Sequence, residues 1–273
     1  MTRRQGTVGT SVLLGLLVLA VAGRADEAAA VKAIEERGGK IIRDAGRPGK
    51  PIVEVHLHGT DVTDAGLKEL KVFTSLQKLY LHGTAITDTG VKELKDLKSL
   101  LWLTLHNTGV TDAGLKELKE LRSLQMLTLN GTVVTNLGLK ALKECKSLVW
   151  LDLGGTAVNN AGLKELKELK TLERLSLSAT EVTDAGLKQL QGLKSLRFLY
   201  LNNTKVTDAG IKELKRLKRL QTLGLDRTKI TDDGLKELKG LKSLQEVYLQ
   251  GTEVTEVGLK ELHVARPGIR LDY

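Results

Sequence analysis

Three histidines, His58, His82 and His106, stand 24 residues apart, and that interval is the first chemical signal in the chain. Imidazoles repeated at one position of neighbouring strands would stack about 4.8 Å apart. Such a ladder could ligate zinc or copper, or could resist protonation near pH 6 because like charges would meet. Metal ligation, however, wants nitrogens that converge on one point and acceptor groups that orient each ring from behind. Stacked rings supply neither. No metal or cofactor is expected, and His58, His82 and His106 are the candidates should a metal bind.

Aromatic residues follow the same interval. They make up only 3% of the chain, yet Tyr80, Trp102, Trp150, Phe198, Tyr200 and Tyr248 all fall in columns that a period-2 strand would turn to one side. One column runs from Glu54 and Lys78 through Trp102, Met126, Trp150, Arg174 and Phe198 to Thr222, Glu246 and Arg270. The next runs from His56 and Tyr80 through Asp152 and Tyr200 to Tyr248 and Asp272. Tryptophan and tyrosine offer large contact area at low rotamer cost, so they dominate binding hot spots. The candidate binding residues are therefore Tyr80, Trp102, Met126, Trp150, Asp152, Arg174, Phe198, Tyr200 and Tyr248. The plainer alternative is that outward aromatics only favour strands. Against it, the intervening segments carry no aromatic except Phe73, which takes an inward position.

Catalysis finds little support in these residues. The chain has no phosphate-binding loop, no dinucleotide fingerprint and no HExxH, and no Ser or Cys nucleophile sits in a recognisable setting. Asp152 with Asp226 or Glu246 would form a carboxylate pair several strands apart, too distant for glycosidase geometry. A non-enzymatic function is expected.

The elements that hold these columns come from a 24-residue motif, TDAGLKELKxLxSLQxLxLxGTxV, running without insertion from Thr63. A strict period of this length means a solenoid whose units bury their apolar faces only by stacking on neighbours. Leu79-Tyr80-Leu81 reads as a strand with leucines inward, and Leu67, Leu70 and Phe73 as a short amphipathic helix. Thr63 or Asp64 can cap that helix. Gly66 and its equivalents sit where Ala would favour the helix by up to ~1 kcal/mol, which points to close approach between repeats.

The run Leu100-Leu101-Trp102-Leu103-Thr104-Leu105-His106-Asn107-Thr108 resembles the leucine-rich repeat pattern LxxLxLxxN, with threonine in place of the final asparagine. The resemblance is to bacterial-type repeats with the TDxGL segment. It implies an α/β, right-handed solenoid with a curved parallel sheet inside and short helices outside. A threonine hydroxyl, both donor and acceptor, can replace the asparagine ladder of that family. The TDAGL segment also resembles the longer, cysteine-bearing repeats of F-box ubiquitin-ligase receptors, although no F-box precedes it here. The family binds diverse partners, so the resemblance names no ligand.

The remaining segments set the context. Residues 1–25 read as a cleaved signal peptide: Arg3 and Arg4, an apolar Val12 to Ala22, then Gly23-Arg24-Ala25. Secreted or periplasmic localisation follows, without stable membrane insertion. Residues 26–50 read as an N-terminal capping helix and strand, and 51–273 as the solenoid. The formal charge of +9 shrinks when Arg3, Arg4 and Arg24 depart, and is weak support for a polyanion. The single cysteine, Cys145, takes a position that other repeats give to leucine, so a buried apolar role is expected. Lysines on the outer helices alternate with glutamates as on a solvated face, opposite the aromatics, which argues against nucleic acid. The reading is an exported module that binds a protein or peptide. Glycan binding on the same aromatics, or an intracellular F-box-like adaptor, are the alternatives.

Overall fold

The computed structural model describes residues 25–273, so the expected signal lies outside the described residues except for Ala25. A helix over residues 25–36, α1, ends at Arg37-Gly38, where Gly38 takes a positive φ of 76°. Strand β1 (Lys40–Arg43) then runs antiparallel to β2 (Ile52–His56), with a bulge between Ile42 and Arg43. Ala30 and Ile34 of α1 are buried against the first coil, so its apolar end does not face water.

From β2 onward the coils repeat. The strands are β3 (Lys78–Tyr80), β4 (Trp102–Thr104), β5 (Met126–Thr128), β6 (Trp150–Asp152) and β7 (Arg174–Ser176). They continue as β8 (Phe198–Tyr200), β9 (Thr222–Gly224), β10 (Glu246–Tyr248) and β11 (Arg270–Asp272). All eleven form one sheet in sequence order, with β2 to β11 parallel. Consecutive parallel neighbours joined by crossovers make a solenoid, and such crossovers are right-handed almost without exception. The central residue of each strand from β3 to β10, such as Leu79, Leu103 and Leu127, is fully buried, as are Leu81, Leu105 and Leu129 two residues on. Each such leucine gains about 1.5–3 kcal/mol relative to exposure.

The opposite side of each coil is helical but short, a mixture of α and 3-10 turns. Asp64–Val72 is wholly 3-10, and Asp112–Glu117 is a single α segment that tightens into 3-10 at Leu118–Glu120. Helices of this length are not stable alone, and burial of residues such as Leu67, Leu70 and Phe73 holds them.

The TD pair divides its work in a way the sequence reading did not foresee. The threonine caps its own helix in most coils, as where Thr111 Oγ1 accepts from the backbone N–H of Ala113 at 3.2 Å. Thr63 and Thr183 make no such bond. The Asp64–Val72 helix is capped by neither Thr63 nor Asp64, whose carboxylate turns to Thr87. The aspartate instead reaches the next repeat. Asp88 Oδ1 accepts from the N–H of Thr111 at 2.8 Å and of Gly114 at 2.8 Å, and Oδ2 from the Thr111 hydroxyl at 2.6 Å. The same bridge recurs from Asp112 to Thr135, from Asp184 to Thr207 and from Asp208 to Thr231. Asn136 and Asn160 take over the role where the motif varies. The conserved spacing of glycine is explained by this contact, since a Cβ on Gly114 would lie 2.5 Å from Asp88 Oδ1.

The second threonine series also behaves differently from expectation. Thr84, Thr108, Thr132 and their equivalents donate their hydroxyls to the carbonyl three residues earlier, at 2.5–2.6 Å in these three. They close a turn within one repeat. The ladder between repeats is carried by the aspartates.

Candidate binding face

Strand register fixes the columns. Glu54 aligns with Lys78, Lys78 with Trp102, Trp102 with Met126, Met126 with Trp150, Trp150 with Arg174, and Arg174 with Phe198. These side chains point away from the leucine core because each alternates with a buried neighbour. Trp102 is 36% exposed, whereas Met126 between the two tryptophans is 7% exposed. The methionine thus fills the gap under the rings and supplies little free surface. Trp150, Arg174, Phe198, Tyr80, Tyr200 and Tyr248 are half-buried.

Cations lie over these rings. Lys78 Nζ is 4.5 Å from the Trp102 ring centre. The Arg174 guanidinium is 4.8 Å from Trp150 and 4.4 Å from Phe198, and Arg197 is 5.5 Å from Phe198. A cation over an aromatic face is drawn by the ring quadrupole, which holds both groups in place. Lys78 and Arg197 were not singled out from the sequence. Their signal was adjacency: Lys78 precedes Trp102 by one repeat, and Arg197 precedes Phe198 by one residue. Asp152 Oδ1 accepts from the Gly154 N–H at 2.9 Å, so one of its oxygens is engaged in a turn.

The histidines form a second patch at the N-terminal end of the same face. His58 and His82 stack with centroids 4.6 Å apart, and His82 and His106 at 4.2 Å. His56 stacks on Tyr80 at 4.4 Å and contacts Glu54 at 2.7 Å. Thr104 and Thr128 hydroxyls lie 2.9 Å and 3.1 Å from Nδ1 of His82 and His106. Burial and the neighbouring imidazoles push His82 down to about 4. Burial lowers His106 as well, partly opposed by Asp152. The rings are parallel and their nitrogens do not converge, and no metal-binding group of three His, Cys, Asp or Glu occurs among the described residues. A cavity of about 350 Å³ lined by Lys40, Ile41, Ile42, His56 and His58 closes this end.

Cys145 is fully buried, and burial pushes its thiol up to about 11, so it does not act as a nucleophile near neutral pH. On the convex side the Lys–Glu alternation forms pairs between successive repeats, such as Lys215–Glu237 at 2.6 Å and Lys98–Glu120 at 3.3 Å. Exposed pairs of this kind contribute little to stability.

The family profile described as "Leucine-rich repeat region" matches residues 58–257. The chain belongs to the leucine-rich repeat proteins. Among solved structures it is similar to an internalin C2 from Listeria monocytogenes, at 30% identity and a TM-score of 0.58, covering 74% of this chain and 80% of that one. A second internalin of the same species aligns over 82% of this chain and 90% of that one, at 15% identity and a TM-score of 0.46. No curated protein matches. Leucine-rich repeat solenoids are interaction modules that present an extended concave surface to a partner. No helix among the described residues is long and apolar enough to cross a membrane.

Proposed function

We propose that this chain is an exported recognition module that takes a protein or peptide ligand on the aromatic part of its concave sheet, from Trp102 to Tyr248. The observation that carries the reading is the exposed Trp102 and half-buried Trp150 flanking Met126 on three adjacent strands, in a chain with only 3% aromatics. Rings held by packing lose little entropy when a partner covers them. A polypeptide suits this face better than a glycan. Lys78 and Arg174 already lie over Trp102 and Trp150, and stacking on a sugar needs an uncovered ring. Export rests on the sequence of residues 1–25, and sequencing the mature N-terminus tests it.

The face is tested by pull-down from extracellular material with the wild type and with a Trp102→Ala/Trp150→Ala double variant, alongside a glycan array. Polypeptides retained by the wild type should be lost from the double variant, with affinity falling about 30-fold or more. The melting temperature should move little, because Trp102 and Trp150 stand outside the leucine core. Equal recovery on both proteins would remove the proposal, and glycan binding without retained polypeptide would replace it.

A further inference from the structure

Deepening the reading just given, we infer that Arg174 is a carboxylate-binding site, so that the ligand is a peptide carrying an acidic side chain beside its apolar anchor. The cations of the first column are Lys78, Arg174 and Arg270. Lys78 pairs with Glu54 at 3.2 Å and Arg270 with Glu246 at 3.0 Å. Arg174 has no ion pair and no side-chain hydrogen bond among the described residues. Arg197, one strand on, bonds Gln221 and Glu173, and Arg266 donates to the carbonyls of Leu241, Lys242 and Leu244. The other arginines without a side-chain partner among the described residues, such as Arg122 and Arg219, lie outside this column. Glu173, the carboxylate next to Arg174 in sequence, is turned to Arg197 at 3.4 Å.

The surroundings of Arg174 hold it ready. Its strand lies between those of Trp150 and Phe198, and their rings flank its guanidinium at 4.8 Å and 4.4 Å. Rings on both sides restrict the side chain while contributing no acceptor, so the N–H donors are left to a ligand. A guanidinium offers its donors in a planar fork that matches a carboxylate. Charge on the face limits the choice further. Asp152 and Asp272 share the open side of the sheet, and they oppose a highly charged anion, while among the described residues of this column the one unpaired cation balances one carboxylate. Trp150 is the adjacent neighbour of Arg174, and Met126 and Trp102 follow at successive strand spacings of roughly 4.8 Å. The acidic residue and the apolar anchor of the ligand therefore lie within about 15 Å of one another.

A random dodecapeptide library panned on the wild type, on Arg174→Met and on Trp102→Ala/Trp150→Ala tests this. Wild-type selections should be enriched in peptides with Asp or Glu close to a large apolar residue. Arg174→Met should lose the acidic enrichment and keep the apolar one, because methionine preserves the packing between Trp150 and Phe198. Acidic enrichment that persists on Arg174→Met, or apolar enrichment on the wild type with no acidic preference, overturns the inference while leaving the docking face standing. No selection at all on the wild type sinks both. A synthetic copy of the best peptide is then titrated with Glu, Gln or phosphoserine at the acidic position. Glu should bind about tenfold more tightly than Gln on the wild type and equally on Arg174→Met. Tighter binding of the phosphoserine peptide would overturn the carboxylate assignment.

Discussion

A proton on His82 would sit between two other imidazoles, His58 at 4.6 Å and His106 at 4.2 Å, in a partly desolvated stack with His56 nearby. No carboxylate counters it, so the folded protein holds His82 neutral down to about 4, against 6.5 for a free imidazole. The unfolded chain therefore binds more protons throughout that window. Stability is at its full value above pH 6.5 and falls as the pH drops toward 4. After allowance for solvent screening the loss at pH 5 is about 1 kcal/mol, or a fall in melting temperature of roughly 2 °C. Thermal melts of the wild type and His82→Gln between pH 7.5 and 4.5 should show the wild type losing its advantage on acidification. Parallel pH profiles would mean the stack contributes nothing to the dependence. The ladder itself was legible in the sequence, because His58, His82 and His106 share one repeat position. The threonine hydroxyls at Nδ1 and the depth of His82 were not, since they depend on side chains from the next strand.

Between neighbouring coils, the informative unit is the aspartate of one repeat facing the glycine of the next. Asp88 satisfies two backbone N–H groups and one hydroxyl of the following repeat, and Gly114 leaves the space its carboxylate occupies. Asp88→Ala should cost about 1–2 kcal/mol by leaving those donors without their partner. Gly114→Ala should cost about 1–3 kcal/mol, because the new methyl meets Asp88 Oδ1 and Val110. The two losses should not add. Once Asp88 is shortened the methyl has room, so the double variant should be more stable than the sum of the single losses by about 1 kcal/mol. Urea unfolding of the four proteins measures this, and strict additivity would mean the glycine serves some other need. The bare spacing announced a close approach between coils at Gly90 and Gly114, whereas at Gly66 a Cβ would meet Val62 of its own coil. The spacing could not say which side chain approaches, because Thr and Asp both read as helix caps, and a contact spanning 23 residues has no local pattern. Period and hydrophobic alternation, by contrast, are local, which is why the strands, the leucine core and the aromatic columns could all be read in advance.

Along the whole array, each coil touches only its neighbours, so stability is a sum of coil and interface terms and the two ends need not match. At the N-terminal end α1 buries Ala30 and Ile34 on the first coil, and β1 gives β2 an antiparallel partner. At the other end β11 is hydrogen-bonded to β10 alone, and the last helix, Glu256–Ala265, exposes Val257 at 65% and Val264 at 80%. Tyr273 is 70% exposed, and a cavity of about 530 Å³ opens between that helix and Ile269 and Leu271. Among the described residues the coil ending in β11 therefore has one such interface where central coils have two, and less apolar burial to lose on opening. Native-state hydrogen exchange of the 273-residue chain should show β11 and the last helix opening first. Their amides should exchange at least about tenfold faster than those of β5 to β7, with β2 protected nearly as well as the centre. Rates that are uniform from β2 to β11 would instead mean that the array opens as one unit and that interface energies far exceed what a single coil holds. The aromatic column lies mainly on β4 to β8, away from both ends, where each strand has two neighbours. Its rings thus stand on the part of the solenoid that opens least, which keeps Trp102, Trp150 and Arg174 in fixed register while the last coil frays.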